Sequence, residues 1–163
     1  MFKKCRNILR NEKGLTLIEL LAVVVILGII AAIAIPSISS IIDNSKKDTH
    51  VANAQQMVNS ARLAIANNSE LNTGTHHLSL NYLITNKYID QIQNPDNKSV
   101  GYVTGSEDLL SGTGEGSVPA ENSSYVKIVN GKITEVKLYS ADREVHETAV
   151  DGNLILNRDS IVD

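Results

Sequence analysis

The chain has 163 residues, one Phe, five Tyr and no Trp, enough for one ordinary domain plus an anchor, with a core built mainly from Val, Ile, Leu and Ala. Lys3, Lys4, Arg6, Arg10 and Lys13 against Glu12 give the first 14 residues a charge of +4, and the ten basic and seventeen acidic residues that follow give −7. An acidic main body argues against broad electrostatic binding of DNA. With Cys5 as the only cysteine, a domain beyond the first 14 residues has no disulfide to rely on.

The basic N-terminus is followed by a long apolar run. Residues 20–35 read LLAVVVILGIIAAIAI, and with residues 15–18 the stretch approaches the length needed to cross a bilayer. Basic residues before an apolar span place the leader in the cytoplasm and the acidic remainder outside. Three readings of this segment compete. An ordinary secretory signal would be cut at an A-x-A site such as Ala32-Ile33-Ala34, but it has no use for Glu19 at the start of its apolar run. A plain single-span anchor accounts for the length but not for the junction at its edge.

The third reading rests on Lys13-Gly14-Leu15-Thr16-Leu17-Ile18-Glu19. A glycine closes the charged leader, and a carboxylate follows five residues later. An ionised carboxylate inside a membrane helix costs roughly 2.5–3.5 kcal/mol on insertion scales, so Glu19 needs a reason to be there. The bland reason is that it reaches the headgroups. The sharper one is that cleavage after Gly14 gives Leu15 a free amine, within reach of Glu19 of the same chain or of a neighbour. Such a charge pair tolerates the loss of neither partner.

GLTLIE at residues 14–19 resembles the processing motif of the type IV pilin and pseudopilin family, the prepilins with a class III signal peptide. Leu15 stands where the family usually has phenylalanine, and leucine is a tolerated variant. The resemblance covers roughly residues 13–36. It implies cleavage between Gly14 and Leu15 by a prepilin peptidase, N-methylation of Leu15, a role for Glu19 in assembly, and a helix kink at Pro36. It also implies partners: further copies and other pilins in a filament, the peptidase, and an inner-membrane platform with an assembly ATPase. The chain would sit in the cytoplasmic membrane with its head outside before assembly, and in a cell-surface pilus afterwards.

Beyond Pro36, which removes one helical hydrogen bond, helical patterning resumes. Val51, Ala54, Val58, Ala61 and Ile65 form an apolar stripe at helical spacing. A helix over 15–68 would measure about 80 Å at 1.5 Å per residue, half of it anchoring and half supporting a head. The Asn- and Thr-rich residues 67–75 end it.

Residues 78–89 are read as a short helix or extended turn closed by Asn94-Pro95-Asp96. Residues 80–95 resemble a Leu-rich turn common in Gram-positive pilins. Residues 100–104 are expected as a strand and 105–122 as an exposed loop. Asn130-Gly131 between alternating apolar and polar runs predicts a β-hairpin, and residues 153–156 a further strand. The fold class is therefore α+β: a long N-terminal helix on a small antiparallel sheet. The expected divisions are a leader 1–14, a membrane or filament-core helix 15–36, its amphipathic continuation 37–68, and a β-rich head 69–163.

No catalytic constellation, metal site or cofactor site is expected. His76-His77 is read as exposed loop, and His146-Glu147 lacks the second histidine of a zinc-protease helix. Asn94, Asp96 and Asn97 read as a turn rather than a calcium loop. Three N-x-[ST] matches (at Asn67, Asn97 and Asn122) are weak signals in an Asn-rich chain. No phosphate-binding glycine loop is present, so the energy for assembly would come from a separate motor. A pilus subunit is the leading expectation, and a pseudopilin of DNA uptake or type II-like secretion the alternative. A membrane-anchored module that never polymerises is the third class.

Overall fold

The computed structural model describes residues 16–106, 108, 110–111, 118–150 and 153–163. The chain divides into two compact units, Met1–Ile42 and Asp43–Asp163. In the first, the described residues are Thr16 and the start of helix α1, which runs over Leu17–Asn67 and continues through Pro36. Proline has no N–H to donate to the carbonyl four residues back. Hydroxyls add bonds beside it: Ser39 Oγ donates to the Ile35 carbonyl at 3.1 Å and Ser40 Oγ to that of Ser37 at 2.9 Å.

The second unit contains the rest of α1 and a six-stranded antiparallel sheet. Its strands are β1 (Thr75–Ser79), β2 (Leu110–Ser111), β3 (Tyr125–Val129), β4 (Lys132–Tyr139), β5 (Glu144–Thr148) and β6 (Ile161–Val162). They lie in the order β2-β1-β3-β4-β5-β6. A short helix α2, Leu80–Thr85, follows β1 directly and is capped by Ser79, whose Oγ accepts the Tyr82 N–H. At the end of α1, Asn68 Oδ1 accepts the Glu70 N–H and starts a single 3₁₀ turn, Ser69–Asn72. The long helix and small antiparallel sheet form the expected α+β architecture.

The core forms where one face of α1 meets one face of the sheet. Ala54, Met57, Val58, Ala61 and Ala64 are fully buried, together with Leu71, Leu78, Leu83, Val126, Ile128, Val136, Leu138 and Val145. The expected stripe holds at Ala54, Val58 and Ala61, while Val51 and Ile65 lie only partly buried at its ends. Three alanines on the contact face let the helix backbone come close to the strands. Along β3 and β4, burial alternates as a half-buried sheet requires, with Val126, Ile128, Val136 and Leu138 inward.

The predicted hairpin forms between β3 and β4, with Asn130 at φ 50° and Gly131 at φ 75°, the pair of left-handed residues that a tight two-residue turn needs. The turn is tied to the chain ahead of β1: Asn130 N–H donates to the Gly74 carbonyl at 2.8 Å, and Gly74 N–H to Asn130 Oδ1 at 3.0 Å.

Three local expectations are corrected. His76 and His77 are not exposed loop; they are buried in β1, paired on both sides by β2 and β3. His76 Nε2 donates to the Thr73 carbonyl at 2.7 Å, and His77 packs edge-to-face on Tyr125. Two flanking strands stabilise a segment whose own residues read as turn. Residues 100–104 make no strand; they cross irregularly, with Val103 N–H bonded to Tyr139 O and Ser124 N–H to Val103 O. Residues 153–156 contribute only a bridge between Val150 and Asn153, and the pairing position beside β5 is taken by β6.

Candidate functional site

Helix α1 starts at a reciprocal cap. Thr16 precedes the first helical residue, and its Oγ accepts the Glu19 N–H at 3.3 Å. The Glu19 carboxylate reaches back, with Oε2 accepting the Thr16 backbone N–H at 2.8 Å and the Thr16 hydroxyl at 2.9 Å. This is a capping box, in which two N–H groups that the helix cannot satisfy internally are bonded by side chains. Thr-x-x-Glu ahead of an apolar run is its sequence signature, and that signal, present at residues 16–19, supplies a reason for Glu19 that charge pairing alone does not. Gly14 and Leu15, the expected cleavage and methylation positions, lie outside the described residues, as does the leader 1–14.

After the cap the helix carries apolar side chains on every face. Leu20, Leu21, Val24, Leu27, Ile30, Ile35 and Ile38 are each more than half exposed, and no residue of 17–42 is buried. The segment is long and apolar enough, by length and composition, to cross a membrane. A contiguous apolar surface of this extent marks a place covered by lipid or by other protein. Pro36 lies within it.

In the second unit the polar groups gather where α1 enters the head. His50, fully buried, sits between Asp96 and Tyr102, its Nε2 2.8 Å from Asp96 Oδ2 and its Nδ1 2.8 Å from the Tyr102 hydroxyl. Asn53 Nδ2 donates to the same hydroxyl at 3.0 Å. A neutral ring protonated on Nε2 satisfies the whole chain: Asn53 donates to Tyr102, Tyr102 to Nδ1, and Nε2–H to the carboxylate. Burial pushes the Tyr102 phenol up to about 12. Burial also raises the Asp96 carboxyl, but the His50 hydrogen bond, the Arg143 charge and Lys46 outweigh it and hold the group below the usual carboxylate range. A Tyr–His–Asp series resembles a proton relay, yet His50 and Tyr102 are sealed from substrate by the core. It links α1 to the loop that carries Asp96 and Tyr102.

The turn expected at residues 94–97 is present. Asn94 Oδ1 accepts the Asp96 N–H at 2.9 Å and Asn97 Oδ1 the Ser99 N–H at 3.0 Å, so these oxygens are committed to the backbone. On the outer sheet face, Glu135 accepts from the Tyr125 hydroxyl at 2.6 Å and faces His146 Nε2 at 3.1 Å. Among the described residues, no group of three or more His, Cys, Asp or Glu side chains is arranged to hold a metal ion.

No curated protein and no solved structure shows a significant match to this chain. Residues 9–35 match the prokaryotic N-terminal methylation motif. That match brackets Gly14, Leu15 and Glu19 and ends one residue before Pro36, and it indicates a structural role rather than catalysis. The motif at residues 9–35, joined to a long apolar helix and an α+β head, supports the chain as a type IV pilin or pseudopilin precursor.

Proposed function

We propose that the chain is a structural subunit of a type IV pilus-like surface filament, cut between Gly14 and Leu15 by a prepilin peptidase and N-methylated on Leu15. Residues 1–14 are the leader, 15–36 the membrane-spanning and later filament-core helix, 37–68 its continuation, and 69–163 the head. The observation that carries this reading is the bare apolar helix behind the methylation motif: residues 17–42 have no cover within the subunit. Lipid covers them before assembly and neighbouring helices afterwards, where packing replaces lipid contact. Glu19 fits both stages. Bonded to Thr16 it caps its own helix, and the carboxylate retains lone pairs for a methylated amine of the same or a neighbouring subunit. Pro36 introduces the bend at which the filament-core helix gives way to the head-bearing part. Partners are further copies, other pilins, the peptidase, and the membrane platform with its ATPase. The acidic body gives no support to DNA binding.

Mass spectrometry of filaments sheared from the cell surface tests the proposal. It should find a peptide that begins at methylated Leu15. A filament fraction carrying intact Met1, or a start at Ile35, rejects it. Loss of transformation or of secretion on gene deletion, with surface filaments intact, would assign the chain to a pseudopilin system instead.

A further inference from the structure

The face that α1 turns toward the head changes chemistry partway along. Asp43, Lys46, Lys47, His50 and Asn53 follow helical spacing and continue the stripe that Ala54, Met57, Val58, Ala61 and Ala64 complete. From Ala54 onward the buried face is apolar except for Ser60, whose hydroxyl bonds to the Gln56 carbonyl of the same helix. Before it the contacts are ionic or hydrogen-bonded, and no apolar residue of 43–53 is buried.

These polar contacts reach four separate segments. Lys46 and His50 pair with Asp96, at 3.4 and 2.8 Å. Lys47 pairs with Asp163 at 2.6 Å, and Asp48 takes both Arg158 Nε and Nη2, at 2.5 and 2.6 Å. Asp43 binds Arg143, the hub of the set, whose Nε also reaches Asp163 at 2.8 Å. Asn53 donates to the Gln93 carbonyl at 3.1 Å. The hub is incompletely satisfied: Arg143 Nη1 lies 3.5 Å from Asp96 Oδ1 and makes no hydrogen bond. The outer pairs are wet, Asp48 and Arg158 each being about half exposed.

The helix in this stretch owes little to its own sequence. Residues 43–53 read DNSKKDTHVAN, dominated by types that rank low in helix propensity because their side chains compete for the backbone or lose rotamer freedom. What keeps it helical and docked is the set of ion pairs together with the hydrogen bonds of His50 and Asn53. The outer pairs, Asp48–Arg158 above all, weaken with salt, as the screening length falls from about 8 Å at physiological ionic strength to about 3 Å at 1 M, while the sheltered pairs at Asp96 and Arg143 are screened less.

We propose that residues 43–53 form a releasable collar, which leaves the head when its ion pairs are screened while the apolar root from Ala54 onward stays docked. Opening uncovers the part-buried Val51 and the Tyr102 ring on which His50 packs, while the apolar contacts from Ala54 onward stay in place. It frees eleven residues of tether, about 16 Å as helix and about 36 Å if drawn out, between the apolar helix and the head. The collar thus gives a subunit slack that responds to ionic strength.

Peptide-resolved hydrogen–deuterium exchange on the full-length chain in a non-ionic detergent micelle, at 0.05 and 1 M NaCl, tests this. Amides of 43–53 should exchange at least tenfold faster at high salt, with less than a twofold change in 57–64. Arg143→Gln should make 43–53 exchange fast at both salt concentrations and leave 57–64 protected. Should that variant unprotect 57–64 as well, the root and collar are one unit and the proposal falls. Lys46→Gln, which removes one rim pair, should give a smaller increase confined to 43–53. Wild-type exchange in 43–53 that ignores salt, or rises in parallel with 57–64, also overturns it.

Discussion

Glu19 accepts two bonds that the start of its own helix requires, and this separates two roles that a simple deletion would merge. Glutamine caps as glutamate does, since its carbonyl oxygen can accept the Thr16 N–H, but it carries no charge. Glu19→Gln should therefore leave the helix start in place, read as unchanged amide exchange at residues 17–19 in micelles, while the yield of sheared filaments falls. Wild-type filament yield from that variant would reduce Glu19 to a cap. A second residue-scale prediction concerns Asp96, which is nearly buried and serves His50, Lys46 and Arg143. Asp96→Ala leaves the buried His50 Nε2 without its acceptor and removes a charge beside Lys46 and Arg143, a loss of about 1–3 kcal/mol, seen as a lower denaturation midpoint of the head. Asp48→Ala, which breaks a solvent-exposed pair with Arg158, should leave that midpoint where it is. Much of this scale was legible in the sequence: Gly14 and Glu19 stand out because a carboxylate beside an apolar run demands a reason. The His50–Asp96–Tyr102 series was not, because its members lie 46 and 52 residues apart and meet only once helix and loop have packed.

At the scale of elements, the readable parts were those with a strong local pattern. The stripe on α1 repeats at helical spacing, and Asn130-Gly131 carries the turn chemistry that a hairpin needs, so both followed from residue type alone. Strand β1 did not, since Thr-His-His between turn-formers has no alternating signal and is fixed by neighbours on both sides. Residues 153–156 have strand-like composition, yet β6 occupies the ladder beside β5. The hairpin also yields a test. Gly131 has φ 75°, and a Cβ there would stand 3.0 Å from Asn72 Oδ1. Gly131→Val should cost about 1–3 kcal/mol, measured by chemical denaturation of the full chain in detergent; an unchanged midpoint would mean the turn has an alternative conformation at little cost.

For the whole molecule, the charge pattern sets the response to acid. For Asp96, burial raises the carboxyl but His50, Arg143 and Lys46 lower it further; for Glu135, burial is outweighed by the Tyr125 and His146 hydrogen bonds and the Lys127 charge. Both carboxyls are depressed in the folded state, so between the folded and unfolded values the unfolded chain binds more protons. Their contribution is fully present above the ordinary carboxylate range, about pH 4, and is lost as the pH falls through the depressed values. The thermal midpoint of the head should stay level from pH 7 to about 5 and decline below about 4. A midpoint that rises on acidification would contradict the assignment of these pairs. The two-unit division at Ile42 and Asp43 was only partly foreseeable. The apolar run is plain in the sequence, but the second unit begins where Asp43 finds Arg143, a contact between residues 100 positions apart.

The apolar part of α1 has one further consequence, and it is a matter of symmetry. A helix that is Leu, Ile, Val and Ala all round looks much the same from every direction, so turning it about its axis or sliding it by a turn presents nearly the same profile to a neighbour. Such a rod has no preferred azimuth and no preferred height. Within residues 17–42 a single charged side chain breaks that degeneracy, and it does so at the very tip, at Glu19. In the proposed filament, rods of this kind would have one charged mark to read, carried by every copy at the same height.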